Sequence, residues 1–175
     1  MANLSLNVQF DINQDSQQLN WYFSDTHGKL SPRQGGTKSG VLSFNPGDAL
    51  TALIVADSAA GQLESARIID CALITTPLVN TWNMEKPGHY PEPSPFYKEG
   101  VGPGTIASFM PVKSNGGSAR RQSFTGTTLI FANPGRWKLT FVMTVEITET
   151  SGVVTHRVFG FDPECEVGTG VDGGD

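Results

Sequence analysis

The sequence predicts an all-β protein, an antiparallel β-sandwich of immunoglobulin-like or jelly-roll type, on three observations. The first is the alternation from Gly135 to Thr148, G-R-W-K-L-T-F-V-M-T-V-E-I-T, in which Trp137, Leu139, Phe141, Met143, Val145 and Ile147 hold every second position. Successive side chains of a strand point to opposite faces, so one side of this segment meets a core and the other meets water. A slip by one residue would turn the apolar set into solvent at roughly 1.5 to 3 kcal/mol per side chain, which fixes the register. Only Val142 interrupts the polar side. The second observation is punctuation: 20 Gly and 11 Pro in 175 residues suit short strands and tight turns, not a helical bundle. The third is the recurrence of short β-like runs between turn signals, enough for about eight to ten strands. A flattened barrel is the alternative closure.

In chain order, Leu4, Leu6, Val8 and Phe10 alternate with polar residues and open a half-exposed strand. Leu19 to Phe23 predicts a short aromatic strand, and Ser24 to Gly40, dense in Gly, Ser, Thr and Pro, predicts a loop. Val41 to Phe44 is a strand stopped by Asn45-Pro46-Gly47, where Pro presets the first turn position and Gly supplies the positive φ of a type II turn. Asp48 to Ala56 follows as a strand, Gly61 to Glu64 is the one place where a helical turn fits, and Ser65 to Ile74 returns to β. Residues 80–104 contain five prolines, which exclude helix interiors and central strands and predict a long irregular loop. Thr105 to Val112 predicts a strand, Lys113 to Arg121 a hairpin tip, and Gln122 to Phe131 a strand running to a second N-P-G at Asn133 to Gly135. After the long alternating strand, Thr148 to Gly152 predicts a hairpin connection into Val153 to Phe161. That last strand has two possible inward sets: Val153, Phe159 and Phe161, or Val154 and Val158. From Asp162 onward a polar tail is expected, which puts the domain at 1–167 and its Gly- and Asp-rich end at 168–175.

The net charge of −5 and the pI near 5.1 argue against nucleic acid or an anionic membrane as the main partner, since both are bound by clustered Lys and Arg. The longest apolar run, Ala52 to Ala56, is far shorter than the ~20 residues of a membrane helix. The first residues, M-A-N-L-S-L-N-V-Q-F-D, have neither the basic start nor the apolar stretch of a signal peptide. The expected location is therefore the cytoplasm, with Cys71 and Cys165 both reduced.

Catalytic and metal chemistry find little footing. Asp11, Asn13 and Asp15 begin a D-x-N-x-D calcium pattern, but Ser16 stands where Gly is required and Tyr22 where the closing Glu belongs, so a solvated turn is expected. His27, His89 and His156 are far apart and outside any zinc motif. No G-x-S-x-G elbow occurs, and Ser24-Asp25-Thr26-His27 sits in a polar loop. Gly36 to Ser39 lacks the upstream Gly and the following helix of a phosphate loop. No catalytic residue, metal or cofactor is expected. Lys113, Arg120 and Arg121 read as a solvated hairpin tip. The remaining signal is loop 80–104, where Trp82, His89, Tyr90, Phe96 and Tyr97 lie among prolines. Long irregular loops often bind ligands, and stiff aromatic groups suit sugar stacking or a protein partner. The same residues could instead fold inward and cap the sandwich.

The C-terminal hairpin, H-R-V-F-G-F-D-P-E-C-E-V-G from His156 to Gly168, together with Pro46-Gly47-Asp48 before an alternating strand, resembles the AidA/PixA inclusion-body protein family. The resemblance implies a bacterial cytoplasmic β-sandwich that associates with itself and has no established active site. The expectation is thus a non-enzymatic homo-oligomer, with a carbohydrate- or protein-binding module built on loop 80–104 as the alternative.

Overall fold

A computed structural model describes residues 1–30, 41–78, 94–96, 106–108, 113–115 and 121–168. The first sheet contains β1 (Asn3–Asp11), β2 (Asn20–Asp25), β3 (Gly28–Lys29), β5 (Ala49–Asp57), β8 (Lys113–Asn115) and β9 (Arg121–Ile130), in the order β3-β2-β1-β5-β9-β8. The second contains β4 (Leu42–Phe44), β6 (Leu63–Pro77), β7 (Ile106–Ser108), β10 (Gly135–Glu149), β11 (Val154–Phe161) and β12 (Glu164–Val167). Its order is β4-β12-β10-β6-β7, with β11 also paired to β10. No described segment is helical, and the fold is an all-β sandwich.

The second sheet is assembled on β10. Trp137, Leu139, Phe141, Met143, Val145 and Ile147 are all buried, as the alternation requires. One edge of β10 pairs with β6 along nearly its full length; the other is shared end to end by β11 over Phe141–Thr148 and β12 over Gly135–Lys138. Between Thr144 and Val145 the register with β6 shifts, leaving Ile69 as the extra residue of a bulge. The inner faces of both sheets contribute to one hydrophobic cluster. Aromatic pairs cross between the sheets: Phe10 with Phe159 at 4.7 Å, Trp21 stacked on Phe161 at 4.8 Å, and Phe23 against Phe44 at 5.2 Å. Each pair adds about 0.5 to 1.5 kcal/mol to the burial of its surface.

Most pairings are antiparallel, as expected, but β1 runs parallel to β5 and β12 parallel to β4, so both sheets are mixed. Alternation specifies which face of a strand is buried and says nothing about the direction of its neighbour. Where a helical turn fitted at Gly61 to Glu64, a reverse turn from Ser58 closes at Gly61, with the Gly61 N–H bonded to the Ser58 carbonyl at 3.0 Å and Gly61 at φ +69°. β6 begins two residues later, because Leu63 is drawn into the core. Residues 164–167, expected to belong to a polar tail, form β12, anchored by buried Cys165 and Val167. Of the two inward sets for β11, Phe159 and Phe161 face the core, while Val153, Val154 and Val158 are exposed.

The first N-P-G is the predicted type II turn: the Asp48 N–H bonds to the Asn45 carbonyl at 3.1 Å, with Gly47 at φ +91°. Buried Asp48 then ties the corner, its carboxylate accepting from the Asn45 N–H at 2.9 Å and the Ala2 N–H at 2.7 Å. The Gly47 N–H bonds to the Phe131 carbonyl at 2.6 Å, which places this corner beside the end of β9.

Candidate functional site

Of the aromatic-loop candidates, Trp82, His89, Tyr90 and Tyr97 lie outside the described residues, as does most of loop 80–104. Phe96 is described. It is 4% exposed, forms an antiparallel bridge with Phe131, and packs on that ring at 4.7 Å. The backbone around it is held by the Ala132 N–H to the Pro95 carbonyl at 2.7 Å and by Asn133 Nδ2 to the Ser94 carbonyl at 2.9 Å. The Phe96 side chain is therefore part of the core, continuing the ring contacts of Phe131 with Phe44.

The other candidates resolve into structural roles. Asp11 Oδ1 accepts from the Asn13 N–H at 2.8 Å and Oδ2 from the Ala59 N–H at 3.0 Å, so both oxygens fasten turns. Among the described residues no three His, Cys, Asp or Glu side chains converge as a metal site would require. Asp25 Oδ1 accepts from the His27 and Gly28 N–H groups at 2.7 and 3.1 Å, closing the β2–β3 turn. Gly36 to Ser39 and Arg120 lie outside the described residues. Cys71 and Cys165 are free and buried; burial, then the charge of Asp70, pushes the Cys71 thiol up to about 12, and burial raises Cys165 as well. Neither is a thiolate nucleophile at neutral pH.

A feature that sequence reading did not single out is the outer edge of β11. The strands that end the two sheets, β3, β8, β4 and β7, are two or three residues long, whereas β11 has eight. Gly160 donates its N–H to the Gln17 carbonyl at 3.1 Å and accepts from the Leu19 N–H at 3.5 Å, so its peptide groups point away from β10. By the two-residue period of a strand, those of Val154, His156 and Val158 point the same way. The connection between β1 and β2 covers this edge only near Gly160, where Arg157 Nη1 also reaches the Ile12 carbonyl at 3.2 Å. From Val154 to Val158 no described strand pairs with it. Val154 and Val158 are 53% and 50% exposed, on the face opposite Phe159 and Phe161. Between them His156 Nε2 lies 3.2 Å from Glu146 Oε2, and Arg67 holds the same carboxylate bidentately at 3.0 and 3.1 Å. Hydrogen bonding by Arg67 lowers the Glu146 carboxyl from its ordinary value of 4.5. The signal in the sequence was the second inward set, Val154 and Val158, a β-branched pair left over once Phe159 and Phe161 are buried.

No described helix is long and apolar enough to cross a membrane. No protein-family profile matches the chain, and no curated protein matches it by sequence. Among solved structures, the chain is similar to the crystal structure of the inclusion body protein PixA from Burkholderia cenocepacia J2315, with a TM-score of 0.46 and 13% identity over 95% of this chain and 94% of that one.

Proposed function

We propose that this protein acts without catalysis, as a cytoplasmic β-sandwich that associates with further copies of itself along the outer edge of β11. The observation that carries this reading is the run Val154 to Val158, eligible on every count for strand addition: peptide groups facing outward, two half-exposed valines, and no described neighbour. Two copies meeting antiparallel about His156 would set Val154 of each opposite Val158 of the other and continue the sheet. Each such cross-strand pair contributes roughly 0.2 to 1 kcal/mol, and the ladder adds its hydrogen bonds. An interface made of one strand edge is small, so the association is weak and depends on high local concentration. Buried, unreactive thiols fit a reducing compartment and offer no nucleophile.

Sedimentation velocity over a concentration series tests this reading. The expected result is a weight-average mass that rises with concentration for the native chain and stays monomeric for the Val154→Lys, Val158→Lys double variant, since edge lysines oppose strand addition. A monomer at every concentration, or a double variant that assembles like the native chain, contradicts it.

A further inference from the structure

The outer face of the first sheet carries a slot. Tyr22 on β2 and Leu53 on β5 both stand in register with Asn7 on β1, so the two bulky groups flank a short polar one. With strands about 4.8 Å apart, these walls rise from backbones about 10 Å apart. Tyr22 is 42% and Leu53 36% exposed, so both present apolar surface to solvent. The cavity, of about 260 Å³, runs on past Leu53 to β9, where Arg121, Ser123 and Thr125 line it together with Gln9 and Val55. Asn7 Nδ2 donates to Ser24 Oγ at 2.9 Å and Gln9 Nε2 to Asp57 Oδ2 at 3.3 Å, which leaves each side-chain carbonyl as an acceptor. Lys29 Nζ stands 5.4 Å from the centroid of the Tyr22 ring, on one of its two faces.

We propose that this slot binds one neutral pyranose ring of a glycan. A pyranose has C–H groups on its faces and hydroxyls around its rim, and the slot offers the complement: Tyr22 and Leu53 as apolar walls, with amide carbonyls, the Ser123 hydroxyl and the Arg121 guanidinium as hydrogen-bonding partners. The cavity is smaller than the roughly 300 to 1,000 Å³ of drug-sized sites, which limits it to a single ring. An anionic ligand fits less well, because Asp57 stands in register with Arg121 and offsets its charge. A purely apolar ligand would strip water from Asn7, Gln9 and Ser123 without replacing their hydrogen bonds. The slot is on the sheet opposite β11 and does not depend on self-association.

The test is a titration of the ¹⁵N-labelled full chain with methyl glucoside, methyl galactoside and methyl mannoside, each alone, followed by amide shifts. At least one sugar is expected to give saturable shifts centred on Asn7, Tyr22, Leu53 and Ser123. Tyr22→Ala is expected to weaken that binding roughly tenfold, while Tyr22→Phe preserves it and the Val154→Lys, Val158→Lys variant binds as the native chain does. Shifts from none of the three sugars, shifts centred elsewhere, or undiminished binding by Tyr22→Ala overturn the proposal. Leu53→Ser, at the opposite wall, serves if Tyr22→Ala fails to give a native spectrum, and undiminished binding there has the same meaning.

Discussion

Asp48 shows how much structure one side chain can organise. Its carboxylate is buried and accepts from the N–H groups of Ala2 and Asn45, joining the start of β1 to the corner that launches β5. Its own carbonyl accepts from the Phe131 N–H at 2.9 Å, so the end of β9 is held at the same point. Removing the carboxylate takes the acceptor from two part-buried backbone donors, and bonds to a charged acceptor are the stronger kind. Asp48→Ala is therefore expected to lower stability by roughly 2 to 3 kcal/mol, seen as an earlier urea midpoint with an unchanged slope. Asp48→Asn, which keeps one acceptor oxygen, should lose about half as much. The turn chemistry at this corner was legible, because Asn45-Pro46-Gly47 spells out its dihedral requirements locally. The long-range bonds of Asp48 were not, because nothing in a local pattern says that residues 2 and 131 converge there. Gly160 is a similar case: a Cβ there would lie 2.9 Å from the Phe141 carbonyl oxygen, a constraint that exists only once β10 and β11 are paired.

At the scale of the element, β10 and β11 differ in how much of their role alternation reveals. β10 is central, and its period-two pattern specified both the strand and its buried face. β11 lies beside it with a mixed pattern, since Phe159 and Phe161 occupy the buried phase while Val154 and Val158 occupy the exposed one. Apolar residues on both faces made two inward sets equally readable, and only the core contacts of Phe159 with Phe10 and of Phe161 with Trp21 decide between them. Between the valines, the Arg67–Glu146–His156 cluster links β6, β10 and β11 across the outer face. Because the Glu146 carboxyl is lowered in the folded state, its contribution is present above the ordinary value of 4.5 and is lost as pH falls through the folded value. Glu146→Gln should thus be less stable than the native chain near neutral pH, with the gap closing in acid. Thermal midpoints measured from neutral pH to below the carboxylate range check this sign.

For the whole molecule, two layers and a shared aromatic interior followed from the sequence, while the order of strands did not. Burial patterns assign each strand a face, but the parallel pairing of β1 with β5 and of β12 with β4 depends on which distant segment arrives beside which. The same limit applied to function. The proline-rich loop attracted attention because aromatic side chains cluster there in sequence, yet its one described aromatic, Phe96, is in the core. The features on which both proposals rest arise only from pairing: a long strand left at a border, and Tyr22 and Leu53 brought to either side of Asn7. The proposed function requires self-association through β11. Amide hydrogen exchange followed at increasing protein concentration tests it most directly. The amides of Val154, His156 and Val158 are expected to gain protection as concentration rises while those facing β10 are unchanged. Exchange at these three positions that is the same at every concentration would contradict it.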